Sequence, residues 1–396
     1  MKKTLLGLSI AAALVSLPSF AEVRINGFAS IVGGQTLDDD DTLYGYDNDF
    51  NMEQESKFAL QVSADLQERL SATAQVIARG ENDFDAEFEW AYLTYEISDN
   101  SQLSAGKMRI PFYRYSDFLD VGYAYRWVRP PKSVYNLNFS TYEGLSYLYN
   151  SNIGEWDSSI QLMYGSVNED IAAVTESDNV EINDAFGFNW TLSKDWFTAR
   201  AAYILSEVSI DVSNSAQLSA LFSGLSGYGL NEQRQDLAVE EDDSYFAGIG
   251  FGIDYNNFLF DAEYTQYEIE DSFLAKQSQY YASVGYRIDD WTVHFTYENN
   301  DDENDSSELN TIPAQIQTPN GPINVSTNPS DPNAPLLRDV TNFALLSQRA
   351  ESNTYTIGAR YNFHPSAAFK IDVSRFEDDI TNTEVDLVSM GVDLVF

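Results

Sequence analysis

The segment VSMGVDLVF, residues 388–396, puts Val388, Met390, Val392, Leu394 and Phe396 on one side of an extended backbone and Ser389, Gly391 and Asp393 on the other, because successive side chains of a strand point to opposite faces. The period of two recurs. Phe58, Leu60, Val62 and Ala64 stand against Lys57, Gln61, Ser63 and Asp65, and Leu70, Ala72, Ala74 and Val76 against Ser71, Thr73, Gln75 and Arg79. Later copies are Tyr280, Ala282, Val284 and Tyr286, then Trp291, Val293, Phe295 and Tyr297, then Tyr355, Ile357, Ala359 and Tyr361. None of these apolar faces carries a charge. A Lys or Arg on a lipid face costs about 2–4 kcal/mol at the bilayer midplane, but a packed core rejects charge as well, so alternation alone fits both a membrane barrel and a soluble β-sandwich.

The connections discriminate. About sixteen strands are predicted, near 22–36, 55–66, 70–79, 84–97, 101–108, 142–150, 155–164, 183–192, 196–205, 244–255, 257–267, 278–288, 291–298, 353–363, 367–376 and 384–396. Short linkers rich in turn formers, such as Ser98-Asp99-Asn100, Asn256-Asn257 and Asp289-Asp290, alternate with other, mostly longer linkers near 37–54, 80–83, 109–141, 165–182, 206–243, 268–277, 299–352 and 377–383. A transmembrane antiparallel up-and-down β-barrel with both termini in the periplasm requires short periplasmic turns in strict alternation with longer extracellular loops. A Greek-key sandwich has no reason to keep that parity. In lipid, only a closed barrel lets strands satisfy every backbone polar group.

Lys2 and Lys3, an apolar run from Leu5 to Leu17 and the small residues of Ser19-Phe20-Ala21 read as a signal peptide over 1–21, with the mature chain beginning at Glu22. No later apolar run is long enough for a spanning helix. The chain has no Cys, so an exported protein of this sequence relies on hydrogen bonding and burial in place of disulfides. Strand phase continues on both sides of the Pro-rich segment 299–352, which makes residues 22–396 one barrel domain and 299–352 a long extracellular loop. SAQLSALFSGL at 215–225 and VTNFALLSQRA at 340–350 have helical character, but irregular loop packing is the preferred expectation for both.

The formal net charge is −40, and loops 37–54, 165–182, 206–243 and 299–352 are strongly acidic, with Arg234, Arg338 and Arg349 as their cations. Solubility explains exposed acidic loops, and binding of divalent cations that bridge lipopolysaccharide phosphates is the functional alternative. The run Asp38 to Asp41 lacks the spacing of a calcium loop, so no metal site is assigned. Against this background, residues 106–132, GKMRIPFYRYSDFLDVGYAYRWVRPPK, hold six of the 22 Lys and Arg residues, opposed by Asp117 and Asp120.

In architecture, the alternating strand ending on Phe396 and the long third loop over 109–141 resemble the Gram-negative trimeric porins. More narrowly, Gly106, Lys107, Arg109, Pro111 and Phe112 resemble the strand-to-loop transition of the phosphate-selective and related substrate-specific porins. The resemblance implies a sixteen-stranded barrel with a loop folded into the lumen as a constriction, a homotrimer, and a C-terminal Phe396 recognised by the barrel assembly machinery. It implies a water-filled outer-membrane channel for small hydrophilic or anionic solutes, in contact with membrane lipids and lipopolysaccharide. The acidic composition departs from the phosphate-selective pattern, so that selectivity is not carried over.

On this reading Lys107, Arg109, Arg114, Asp117, Asp120, Arg126, Arg129 and Lys132 line the constriction. Arg24, Lys57, Arg79, Arg200, Arg287, Arg360 and Lys370 stand on the lumen wall, with Asp85, Glu87, Glu89, Asp261 and Glu263 on the same faces. A basic constriction predicts a modest anion preference. The competing expectation is that Arg114, Arg126 and Arg129 anchor the loop against carboxylates. Tyr113, Tyr115, Tyr123, Tyr125 and Trp127 are expected to pack the loop onto the wall in preference to forming a track for solutes.

Other functions find less support in the residues. His294, flanked by Thr292 and Thr296, and His364, before Pro365, do not form an oriented nucleophile and base, so a barrel hydrolase is disfavoured. No His or carboxylate spacing indicates a cofactor or metal. The net charge disfavours nucleic-acid binding, and the chain is too short for a plugged barrel of about 22 strands. An adhesin or scaffold barrel is the remaining alternative.

Overall fold

The computed structural model describes residues 22–38, 41–171, 178–303, 312–326 and 336–396. The expected signal peptide, Asp39 and Asp40 lie outside them. Sixteen strands among the described residues close into one antiparallel barrel. They are β1 (Val23–Thr36), β2 (Lys57–Gln67), β3 (Leu70–Arg79), β4 (Ala86–Ser98), β5 (Ser101–Arg109), β6 (Thr141–Ile153), β7 (Trp156–Ile171), β8 (Asp178–Lys194), β9 (Phe197–Asp211), β10 (Asp242–Tyr255), β11 (Phe258–Ile269), β12 (Gln277–Ile288), β13 (Trp291–Asp301), β16 (Glu351–His364), β17 (Ala367–Asp378) and β18 (Thr383–Val395). Between β13 and β16, β14 (Gln315–Thr318) and β15 (Gly321–Asn324) form a separate hairpin.

Closure occurs where β1 pairs with β18, from Phe28 opposite Val395 to Thr36 opposite Leu387. Beyond this ladder the Gly27 amide donates to the Phe396 carbonyl at 2.8 Å, and the Phe396 amide to the Gly27 carbonyl at 2.9 Å. A closed cylinder leaves no strand edge without partners. Ile25, Phe58, Ile249, Val293 and Ile357 are exposed on the outside, while Ser30, Asp261, Thr296 and Lys370 are buried within. Aromatic pairs gather beside the short turns, including Trp291 with Tyr361 (4.6 Å between centroids) and Phe258 with Tyr286 (4.9 Å). Such pairs suit a membrane interface, where an apolar ring and a polar edge are both accommodated.

Two expectations need correction. β7, β8 and β9 have 16, 17 and 15 residues, more than the roughly 9–11 that cross a bilayer. Much of the expected loop 165–182, and the two ends of 206–243, are therefore strand, extended past the membrane at the long-loop end. Residues 215–225 and 340–350 also contribute helix, against the expectation of irregular packing. One helix spans Ala216–Gly227, with the Ser215 hydroxyl capping the Leu218 amide at 3.3 Å and Leu218, Leu221 and Leu225 on its buried side. A second spans Leu337–Ser347 and buries Leu337, Ala344 and Leu345.

Candidate functional site

β5 ends at Arg109 and β6 begins at Thr141, so residues 110–140 form the third long connection, and they run inside the barrel. Pro111, Pro130 and Pro131 remove backbone donors. What regular structure the segment has is two single turns, Ser116–Phe118 and Gly122–Ala124. Its backbone polar groups are satisfied instead by the wall. The Arg114 amide donates to Glu263 at 2.7 Å, Val128 to Asp372 at 2.7 Å and Ser133 to Glu298 at 3.0 Å. In return Arg360 donates to the carbonyls of Tyr123 and Tyr125 at 2.7 and 2.8 Å, and Lys370 to those of Gly122 and Trp127 at 2.5 and 2.7 Å.

This close approach depends on two glycines that lack a side chain at the contact. A Cβ on Gly122 would lie 2.1 Å from Asp393 Oδ1, and one on Gly252 of β10 would lie 2.0 Å from an Arg114 guanidinium nitrogen. The loop aromatics pack against each other and the wall. Tyr115 meets Trp127 edge-on at 5.7 Å, Tyr113 meets Tyr135 at 4.8 Å, and Trp127 Nε1 donates to Thr296 at 2.8 Å. Tyr113, Tyr115, Tyr125 and Trp127 are buried.

The basic residues of the loop divide into two groups. Arg114 and Arg126 both donate to Asp261, and their guanidinium groups lie over Tyr115 and Trp127. Arg129 forms two hydrogen bonds with Glu55 and is buried. These three arginines are neutralised by carboxylates, and Arg129 also lines the polar chamber between the loop and the wall. The second group borders this chamber, of about 450 Å³, between the loop and the β2–β5 wall. There Arg109 donates to Asp120 and lies 3.0 Å from Glu89, Lys107 lies 3.1 Å from Glu169, and Lys132 is exposed.

Asp120 is the hub of this chamber, with Lys57 at 3.3 Å and Arg79 at 3.4 Å as further partners. Burial would raise its carboxyl pKa, but the fields of Lys57, Arg109 and Arg79 outweigh burial and hold it well below the usual range. Glu55 shows the same balance. Burial opposes its charge, and Arg129 more than compensates.

The remaining wall cations are also paired. Arg24 with Asp65 (3.1 Å) and Arg287 with Asp254 (2.6 Å) sit at the short-turn end, while Arg79 reaches Glu87 and Glu89. Arg200 meets Asp117 at 2.9 Å, and Lys370 meets Asp393 at 2.8 Å. Lys370 and Arg360, on wall strands, turn onto the loop backbone. His294 Nε2 lies 3.1 Å from Asp372, and the Thr296 hydroxyl is occupied by Trp127 and Ser283. His364 caps the Ser366 amide.

Glu55, Glu169, Glu298, Asp372 and Asp393 complete the site and were not singled out as anchors from sequence. Inward-phase carboxylates within strands were the available signal for Glu298, Asp372 and Asp393.

The family model for Gram-negative porins matches this chain over residues 8–381. The chain belongs to the Gram-negative porin family. No curated protein matches it. Among solved structures, a loop-deletion mutant of the outer membrane protein OmpT of Vibrio cholerae has 10% identity and a TM-score of 0.57, over 96% of this chain and 100% of the other. The anion-selective porin from Comamonas acidovorans has 11% identity and a TM-score of 0.58, over 95% and 100%. OmpF of Salmonella typhi, in complex with daunomycin, has 14% identity and a TM-score of 0.54, over 94% and 97%. At these identities the likeness is one of fold. As a member of the family, this porin is an outer-membrane channel for passive diffusion, and family and fold point to a channel rather than an enzyme.

Proposed function

We propose that ions and small hydrophilic solutes cross this porin through the polar chamber beside residues 110–140. Lys107, Arg109, Asp120 and Lys132 border the passage, while Arg114, Arg126 and Arg129 hold the loop in place. The observation that carries this reading is the division of the loop cations. Arg114 and Arg126 share Asp261 away from this chamber, and Arg129 on its lining is 8% exposed and held by Glu55, whereas Lys132 is exposed in the chamber. A modest anion preference then rests on Lys107 and Lys132, opposed by Glu81, Glu87 and Glu169 on the same chamber. Charges on the outer loops beyond about 10 Å are screened at 0.1 M salt.

The test is the zero-current potential across a planar bilayer in a potassium chloride gradient. Lys107→Gln with Lys132→Gln should move it toward the cation value with assembly intact. An unchanged potential in that double variant would overturn the assignment.

Export through the periplasm on a cleaved 1–21 segment, and insertion aided by the assembly machinery acting on Phe396, belong to the same proposal. So do contacts of the apolar outer belt with lipid and of the acidic loops with lipopolysaccharide. A homotrimer is proposed too, since the structural relatives include OmpT of Vibrio cholerae in a trimer form, with a TM-score of 0.52. Cross-linking in native membranes tests it, and recovery of monomers alone would refute it.

A further inference from the structure

The inner face of β8 and β9 changes character along its length. Toward the short turns it presents Asn189 and Arg200, as a water-filled barrel requires. On the other side of the inserted loop the buried inward positions become Ile204, Val208 and Ile210 on β9, with Val180, Ile182 and Ala185 on β8. A register shift between Asn183 and Phe186 resets the alternation, so that Ile182 and Ala185 both line the interior. Part of this apolar wall is covered by the outer loops. The rest encloses a second cavity of about 330 Å³, separate from the polar chamber apart from shared loop residues at its edge, and floored by Ile110, Phe112 and Phe139.

Three properties of this cavity define what it would hold. It is aromatic on one side, where Phe112 lies 4.7 Å from Phe246 and 5.6 Å from Phe139 between ring centroids. Its one lining charge, Glu268, is already paired with Lys276 at 3.3 Å, so nothing there offers a counter-ion to a charged guest. Asn136, which lines it, has a buried Oδ1 with no hydrogen-bond partner, while its Nδ2 contacts Gln277 at 3.4 Å. A buried acceptor left unpaired is unfavourable and gains from a donor brought by a ligand. An apolar space of this size, with few placed polar groups, has the make-up of a small-molecule site.

We infer that this cavity is a binding site for neutral aromatic molecules carrying a single N–H or O–H donor, which Asn136 Oδ1 accepts. Guests of this class differ from the hydrophilic solutes of the polar chamber. The site depends on the barrel and the inserted loop, and not on which cations set the charge preference.

Equilibrium dialysis against the full chain in lipid nanodiscs tests it, with indole as the probe and empty nanodiscs subtracted. Saturable binding near one indole per chain is expected. N-methylindole, which lacks the donor, should bind at least tenfold more weakly, and anionic indoleacetate should not bind. Val208→Phe and, independently, Ala185→Phe should abolish binding by filling the space, while Asn136→Leu should remove the preference for indole over N-methylindole. Single-channel conductance of the same preparations should be unchanged, which separates failure of this site from failure of the passage through the polar chamber. Absence of saturable indole binding to the unaltered protein would overturn the inference, as would equal affinity for indole and N-methylindole, the behaviour of a pocket for acyl chains.

Discussion

Arg129 grips Glu55 with two hydrogen bonds, Nε to Oε1 at 2.8 Å and Nη2 to Oε2 at 2.7 Å, and so ties the third long connection to the end of the first. Removing one partner strands a buried charge. Glu55→Ala should therefore lower stability by about 3 kcal/mol or more, seen as a lower temperature for heat-modified migration on gels. Glu55→Ala with Arg129→Ala should cost less than the two single changes added together. A strictly additive pair would show that the bond contributes no coupling.

Asp261 receives both Arg114 and Arg126. Asp261→Asn keeps the shape and removes the charge that both guanidinium groups share. The loop should detach locally, giving noisier single-channel current while the barrel remains heat-modifiable. Gly122→Val should give a similar phenotype by a different route, because a side chain there collides with Asp393. Quiet, unaltered traces in both variants would argue that the loop is held elsewhere.

Asp302, just beyond β13, gives the outer loops a pH dependence. Burial pushes its carboxyl up to about 7 from 3.8, with Asp301 adding to the rise and the Ser278 amide opposing it. The folded form thus binds the proton more tightly than the unfolded chain. Its contribution is fully present below about pH 4 and is lost as pH rises through about 7. The Lys276 and Glu303 amides, which donate to each other's carbonyls at 2.8 and 2.9 Å, should lose exchange protection between pH 5 and 8 after correction for intrinsic rates, because exchange reports local opening. Asp302→Asn should flatten that dependence.

Phe396 stacks on Phe58 at 5.9 Å and bonds through its backbone to Gly27. Deleting it removes two hydrogen bonds of the seam and an exposed ring at the short-turn end. The yield of heat-modifiable barrel should fall. Unchanged yield would detach this residue from assembly.

Strand phase and the alternation of short and long connections were legible because period and turn chemistry are local properties. The interval 109–141 was read from the same local signals. The partners of its arginines were not legible. Asp261 lies 147 residues from Arg114, and nothing in the sequence around Arg114 distinguishes Asp261 from another inward carboxylate. The apolar inner wall had a visible trace in the run Ala201, Ala202, Tyr203, Ile204 and Leu205, apolar in both phases. Alternation against lipid accounts for only one of those phases. The extension of β7 to β9 was missed because polar residues past the bilayer edge read as loop, although the paired backbone continues.

The pairing of β1 with β18 also orders events in time. Each neighbouring hairpin can form from residues close in the chain, but Phe28 must find Val395 across nearly the whole sequence. Contacts of such separation form slowly, since the entropy of closing the loop is lost before any pairing rewards it. Until the seam zips, the chain is an open sheet with two adhesive margins. Closure is then the step at which the maturing channel escapes both aggregation and proteolysis, and substitutions along the seam should act on folding rate before they act on transport.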